Sequence, residues 1–171
     1  MIETIHFNGR DYPKFQTNGN AARFCMPFAL EVLNGCSLVF DICPAKGEWS
    51  YPGAVLIDKV LNDEYHAMNL PPLSPDGIFC SHGLEHLERP FEALDYWHSK
   101  LKKGGKIFLY LPNMDTQLYH RPWSNRKHLW YCNDTIMRAY FNDNSDKWAK
   151  VFVSEGSDLY SSFMCFAEKR Y

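Results

Sequence analysis

A three-layer α/β fold, built on a mostly parallel sheet with an antiparallel edge strand, is what this sequence predicts. Three observations lead there. Compact apolar runs too short for ordinary helices recur at SLVFDIC (37–43), AVLID (54–58), DGIFCSH (76–82) and KIFLYLP (106–112). Between the third and fourth lies a strong helix signal, so strand, helix and strand follow one another in the order of a right-handed parallel crossover. Two further runs, AKVFVS (149–154) and SSFMCFAEK (161–169), are joined only by residues 155–160, a link suited to antiparallel pairing.

Residues 1–19 are polar and turn-rich, with Asn8, Gly9, Asp11, Pro13, Asn18 and Gly19. From Asn20 the pattern is helical: Ala21, Phe24, Phe28, Val32 and Leu33 share one face, Gly35 stops the helix, and Pro27 suggests a start nearer to it. The helix before the fourth run opens on Pro90, marks one face with Phe91, Leu94, Trp97 and Leu101, places Lys102 and Lys103 at its negative end, and stops at Gly104-Gly105. Asn133 caps a last helix through about Phe141, with Ile136, Met137 and Tyr140 inward. The chain is expected to be one domain over 1–171, an N-terminal extension and helix (1–36) followed by the sheet core (37–171).

Composition narrows the function. Eighteen basic against twenty acidic residues in a chain of 171 leave a formal net charge of -2, without the basic surplus of a protein that binds nucleic acid through counterion release. Six cysteines include no C-x-x-C pair, so neither a zinc knuckle nor a thioredoxin-type motif is supported and a reducing, cytoplasmic setting is expected. No apolar run approaches the ~20 residues of a membrane span, and MIETIHFNGRDY lacks a signal-peptide pattern.

In open parallel sheets ligands bind at the carboxyl ends of the strands. Those ends and the loops beyond them hold Asp41, Lys46, Gly47, Asp58, Asn69, Ser81, His82, Glu85, His86, His120 and His128, and five of the seven histidines fall in or beside these loops. Trp49 reads as core. In HRPWSNRKHLWYC (120–132), Arg121, Arg126 and Lys127 suit a phosphate or carboxylate beside Trp123 or Trp130, or the segment is a surface loop anchored by buried tryptophan.

These segments resemble the class I S-adenosylmethionine-dependent methyltransferases, a Rossmann-like family. VFDICPAKGEW is similar to the first motif, hydrophobic-x-Asp-hydrophobic-Gly-x-Gly-x-Gly, and AVLIDK to the second strand with its terminal acid. DGIFCSHGLEHLERPFEALDYWHSKLKKGGKIFLYLPN resembles the fourth strand, the Leu-Glu-His segment, a helix, a Gly-Gly turn and the fifth strand. The resemblance implies cofactor contacts from Asp41, Cys43, Ala45, Gly47, Asp58, Met68, Asn69, Leu70, Ser81 and His82. Asp58 would take the ribose hydroxyls, Asp41 the loop or the cofactor ammonium, and Met68-Asn69-Leu70, after a short third strand, the adenine. Cys43 and Ala45 stand where the family has its first two glycines, and the short link between the first two strands implies a shortened or absent crossover helix.

His82-x-x-Glu85-His86 has a second resemblance, to metal-dependent O-methyltransferases that carry Glu-x-x-Glu-His there; the small-RNA 2′-O-methyltransferases add a histidine after the fifth strand, where this chain has His128. It implies a divalent metal on His82, Glu85, His86 and His128, with His82 in place of a carboxylate favouring zinc-, manganese- or iron-like ions over magnesium. Leu-Glu-His also occurs in methyltransferases without metal, where it holds the loop or positions substrate. The expected function is methyl transfer from S-adenosylmethionine to an O or N nucleophile, with His82, Glu85 and His86 as catalytic candidates. The alternatives are a catalytically degenerate binding or regulatory protein, or other chemistry on the sulfonium. With little room for a substrate-covering domain, the site is expected to be open to a large acceptor or closed by a second subunit of a homo-oligomer.

Overall fold

The computed structural model describes residues 3–7, 9–14, 22–44, 50–115, 128–158 and 160–170. A hairpin of β1 (Thr4–Phe7) and β2 (Arg10–Pro13) precedes helix α1 (Ala22–Val32). The main sheet contains β3 (Val39–Ile42), β4 (Val55–Ile57), β5 (Gly77–Ser81), β6 (Lys106–Pro112), β7 (Trp148–Val153) and β8 (Ser162–Lys169), in the spatial order β4-β3-β5-β6-β8-β7. Helix α2 (Pro90–Lys100) links β5 to β6, and α3 (Asp134–Asp143) precedes β7. β4, β3, β5 and β6 run parallel, whereas β8 pairs antiparallel with both β6 and β7. The expected antiparallel edge is present.

The central strands are mostly apolar because most of both their faces is covered. Alternate residues divide between two layers. Ile78, Cys80, Ile107, Leu109 and Leu111 pack against Ala93, Leu94 and Trp97 of α2 and Met137 and Phe141 of α3. Phe79, Phe108 and Tyr110 face the opposite side, against Cys25 and Ala29 of α1. Trp97 is fully buried, and its indole N–H donates to Ala67 O at 2.7 Å, so its polar atom enters the core satisfied. Asn133 caps α3 as its sequence position predicts: its side-chain oxygen accepts from Ile136 N at 2.8 Å.

Four expectations need correcting. The N-terminal turn-rich stretch forms a hairpin; Asn8-Gly9 between TIHF and RDYP is its signal, and Gly9 takes φ 77°. Helix α1 runs through Pro27, and its buried stripe is Ala22, Cys25, Ala29 and Leu33, while Phe28 is 51% exposed. Apolar residues occupy both stripes, so periodicity alone does not choose; the small residues let the helix approach the strands closely. On the part of the sheet that α1 leaves uncovered, Phe28, Phe108, Phe152 and Phe166 line an apolar cavity of about 420 Å³. On the last helix, Phe141 is buried and Ile136 only half-buried. Finally, no strand precedes Met68: residues 58–70 contain only an isolated antiparallel bridge between His66 and Asn69, and β4 is the sheet's edge. Of the link from β3 to β4, residues 43–44 and 50–54 hold no helix, and 45–49 lie outside the described residues.

Candidate functional site

The carboxyl ends of β3, β4 and β5 bring Asp41, Asp58, Ser81 and His82 to one end of the sheet. Asp41 is 1% exposed and accepts a hydrogen bond from Tyr51 N at 2.8 Å, which ties the β3–β4 link to β3. Burial pushes its carboxyl up to about 7, against the opposing pull of the Tyr51 amide. Asp58 is buried; its Oδ1 accepts from Val60 N at 2.8 Å and its carbonyl from Leu61 N and Asn62 N, each at 2.9 Å. It therefore caps the turn that follows β4.

Two residues at these ends lie in the left-handed region, Cys43 with φ 61° and His82 with φ 51°. Their turns meet at Gly83. A Cβ built on Gly83 would stand 2.6 Å from Cys43 Cβ and 2.9 Å from Cys80 Sγ, so only glycine fits there. The cysteine in a glycine position of the first motif thus has its side chain against the β5 turn. His82 N donates to Tyr110 O at 2.8 Å, extending the β5–β6 ladder by one bond. The His82 ring lies between two polar partners, with Nε2 3.0 Å from Ser162 Oγ and Nδ1 3.6 Å from Glu85 Oε1.

Glu85 sits in a single 3-10 turn, Leu84–His86, and is 0% exposed. Leu129 N donates to Glu85 O at 2.9 Å and Trp130 Nε1 to Leu84 O at 3.0 Å, which lays residues 128–130 across that turn. His128 Nε2 consequently stands 4.0 Å from Glu85 Oε1, and His86 Nε2 3.5 Å from the same oxygen. The two imidazoles are 5.2 Å apart between ring centroids. One donor atom each from Glu85, His86 and His128 falls within 4.8 Å of the others; among the described residues this is the only such group, and His82 is outside it.

Other expected contacts separate from this cluster or turn to structural work. Asn69 Nδ2 donates to Glu64 O at 2.7 Å, and its backbone pairs with His66, so the residue builds a turn. Met68 is exposed, and Leu70 is buried with its N–H on Tyr96 Oη at 3.0 Å. Ser81 ends β5 half-buried. Ala45, Lys46, Gly47, Trp49, His120, Arg121, Trp123, Arg126 and Lys127 lie outside the described residues. Half-buried Trp130 donates its indole N–H to Leu84 O, and residues 120–127 lie outside the described residues. Ser162 is the site residue that sequence reasoning missed. It is 1% exposed on β8 and reaches His82 through tertiary structure alone, without any local signal.

No protein-family model matches the chain, and no curated protein matches it in sequence. Solved structures do match. An S-adenosylmethionine-dependent methyltransferase from Archaeoglobus fulgidus superposes with a TM-score of 0.64 at 17% identity, over 90% of this chain and 97% of that one. The fold is that of the class I methyltransferases. A 1,6-didemethyltoxoflavin-N1-methyltransferase from Burkholderia thailandensis, bound to its substrate and S-adenosylhomocysteine, gives a TM-score of 0.66 at 12% identity, over 92% and 82% of the two chains. The N-methyltransferase NodS from Bradyrhizobium japonicum, bound to S-adenosylhomocysteine, gives 0.58 at 12% identity, over 95% and 94%. Among the described residues, no helix is long and apolar enough to cross a membrane.

Proposed function

We propose that the protein transfers the methyl group of S-adenosylmethionine to an O or N nucleophile. The observation that carries this reading is the gathering of Asp41, Asp58 and the Ser81-His82 pair at the carboxyl ends of three adjacent parallel strands, in a fold whose solved relatives include structures holding S-adenosylhomocysteine. Asp58 is the acid for the ribose hydroxyls, since a carboxylate accepts from both. Asp41 holds the link between β3 and β4, and Cys43 borders the cofactor's methionine part. The described residues fit this assignment at two points: Cys43 keeps a glycine-like φ, and the space its side chain needs is left by Gly83.

When bound, the sulfonium supplies an electrophilic methyl, so the chain's work is positioning and proton removal. His82, one residue past β5, and His86 are the groups placed to take a proton from the acceptor. Glu85 faces both rings, with its Oε1 3.6 Å from His82 Nδ1 and 3.5 Å from His86 Nε2.

Titration calorimetry with S-adenosylhomocysteine tests the reading. Binding is expected, with Asp58→Ala weakening it by roughly 10- to 100-fold, the worth of hydrogen bonds to a charged group. The absence of heat at millimolar ligand overturns it. A second reading, a methyltransferase-like binding or regulatory protein, draws on Cys43 and Ala45 in place of glycines. Methyl-labelled cofactor separates the two. Label on an acceptor supports transfer, binding without turnover supports the second reading, and label in another product points to other sulfonium chemistry.

A further inference from the structure

We propose that a second copy of this chain docks on the bare face of the sheet, its helix α1 lying over β8 and β7, in a two-fold symmetric pair. The proposal goes beyond methyl transfer and does not depend on it. Its basis is the unequal covering of the two faces. One face carries α2 and α3; among the described residues the other carries only α1, packed through Cys25 and Ala29 against Phe79 of β5 and Phe108 of β6. With strands about 4.8 Å apart and a helix about 10 Å across, the strip over β8 and β7 has room for one more helix. There lies the cavity of about 420 Å³, walled by Phe28 and Val32 of α1 on one side and Phe152 of β7 on the other, with Phe166 of β8 on its floor. It sits over Lys106 and Phe108, in the first half of β6, whereas Ser81 and His82 lie at the far end of β5. A copy docked here leaves the candidate site open.

Both walls of this groove show aromatic rings to water. Phe152 stacks on Phe166 with 5.2 Å between ring centroids, yet it stays 45% exposed, and Phe28 opposite is 51% exposed. Exposed rings gathered on one concave surface, not scattered singly, mark an interaction face. The neighbouring edge strand is poorly built for the other route, strand addition. β7 shifts register between Ala149 and Phe152, Lys150 takes φ 48°, and its ammonium stands mostly in water. A bulge and an exposed lysine both blunt an edge against pairing. The partner therefore meets the face.

Charge identifies that partner as a second copy. Phe28, Glu31 and Val32 fall at i, i+3 and i+4 of α1, so the helix wall presents one exposed acid beside its apolar residues. The strand wall presents Lys150, whose Nζ is 2.8 Å from Glu168 Oε2 on β8. Lys106, at the end of the groove, donates to Val32 O and Asn34 O and so holds the end of α1. Two acids and two bases make the rim electrically balanced, whereas a rim of one sign would repel its own copy. An α1 laid over β7 from a second copy brings its Glu31 to Lys150, and the two-fold axis repeats the pair with the roles exchanged. Phe28 of each copy then enters the other's cavity, an aromatic anchor inside a charged rim.

Sedimentation equilibrium of the full chain, from micromolar to hundred-micromolar concentrations, tests this. The mass of two chains is expected, falling to one on dilution. Phe28→Ser and Phe152→Ser should each weaken association by about 30-fold or more, as for aromatic anchors seated in a pocket. Glu31→Lys and Lys150→Glu should each weaken it by about 10-fold, and an equal mixture of those two variants should recover about 10-fold over either alone, since every 31–150 contact in the mixed pair joins opposite charges. Circular dichroism and melting establish that the variants fold; if a phenylalanine variant does not, the two exposed charge variants carry the test. A single-chain mass for the wild type at the highest concentration overturns the proposal, even if an apolar dye such as anilinonaphthalenesulfonate fills the groove. Association unchanged by Phe28→Ser places the contact elsewhere and overturns it too. A mixture no tighter than its components overturns the two-fold pairing. S-adenosylhomocysteine binding is read separately and should be the same in Phe28→Ser as in the wild type, so failure here and failure of the methyl-transfer reading are distinguishable.

Discussion

Two neighbouring strand ends each hide a carboxylate, and they do so in opposite ways. At β3, Asp41 is buried with a backbone amide, Tyr51 N, on its Oδ2, and its carboxyl is pushed up to about 7. At β5, Glu85 is buried more completely, yet three imidazole rings stand within 4.0 Å of one of its oxygens. The first acid is made tolerable by holding its proton and serves the loop. The second is set among imidazole rings instead of against a single backbone amide. The two ends are also coupled in space: the side chain that β3's turn carries at Cys43 occupies the room that β5's turn leaves at Gly83.

The largest expected effect would break the electrostatic half of this contrast. Asp41 has its ordinary value at 3.8 and titrates at about 7 in the folded chain. Between those values the folded chain holds a proton that the unfolded chain has released, so stability falls as pH rises through that window. Asp41→Asn should remove up to about 4 kcal/mol of that fall, from roughly 1.36 kcal/mol per pKa unit. Urea unfolding of both proteins at pH 3.5 and pH 8 measures it; equal pH dependences would disprove the burial account of Asp41.

The steric half comes next. Gly83→Ala places a methyl 2.6 Å from Cys43 Cβ and should cost about 1–3 kcal/mol as overpacking. Adding Cys43→Gly should recover at least about 1 kcal/mol, a coupling that a double-mutant cycle reads directly. Additive losses would mean the two turns do not share that space. The smallest effect sharpens the β5 side. Ser162→Ala removes the partner of His82 Nε2 and should cost about 1 kcal/mol in denaturant unfolding, with Ser162→Thr restoring most of it. A loss unchanged by threonine would assign Ser162 to packing alone.

Part of this contrast is legible in the sequence. Buried strands announced themselves as apolar runs, and their ends ranked Asp41, Asp58, His82, Glu85 and His86 because strand ends are where open sheets bind ligands. The turn at Asn69 was not legible, since asparagine before Pro71-Pro72 suits a turn as well as a ligand; its amide donates to Glu64 O. The rotation of α1 was not legible either, because large and small apolar residues lie on adjacent stripes and only close approach to the sheet favours Cys25 and Ala29 over Phe24 and Phe28.

By itself, the sequence was enough to mark the buried strands, the outlines of α2 and α3, and the antiparallel edge. Periodicity and capping are local, and local chemistry is enough for them. Only the tertiary structure decided which of those residues meet: His128 joins Glu85 through the backbone bond from Leu129, Ser162 reaches His82 from an antiparallel strand, and Gly83 makes room for Cys43. Such meetings depend on contacts between segments far apart in the chain, and no local pattern encodes the distance between them.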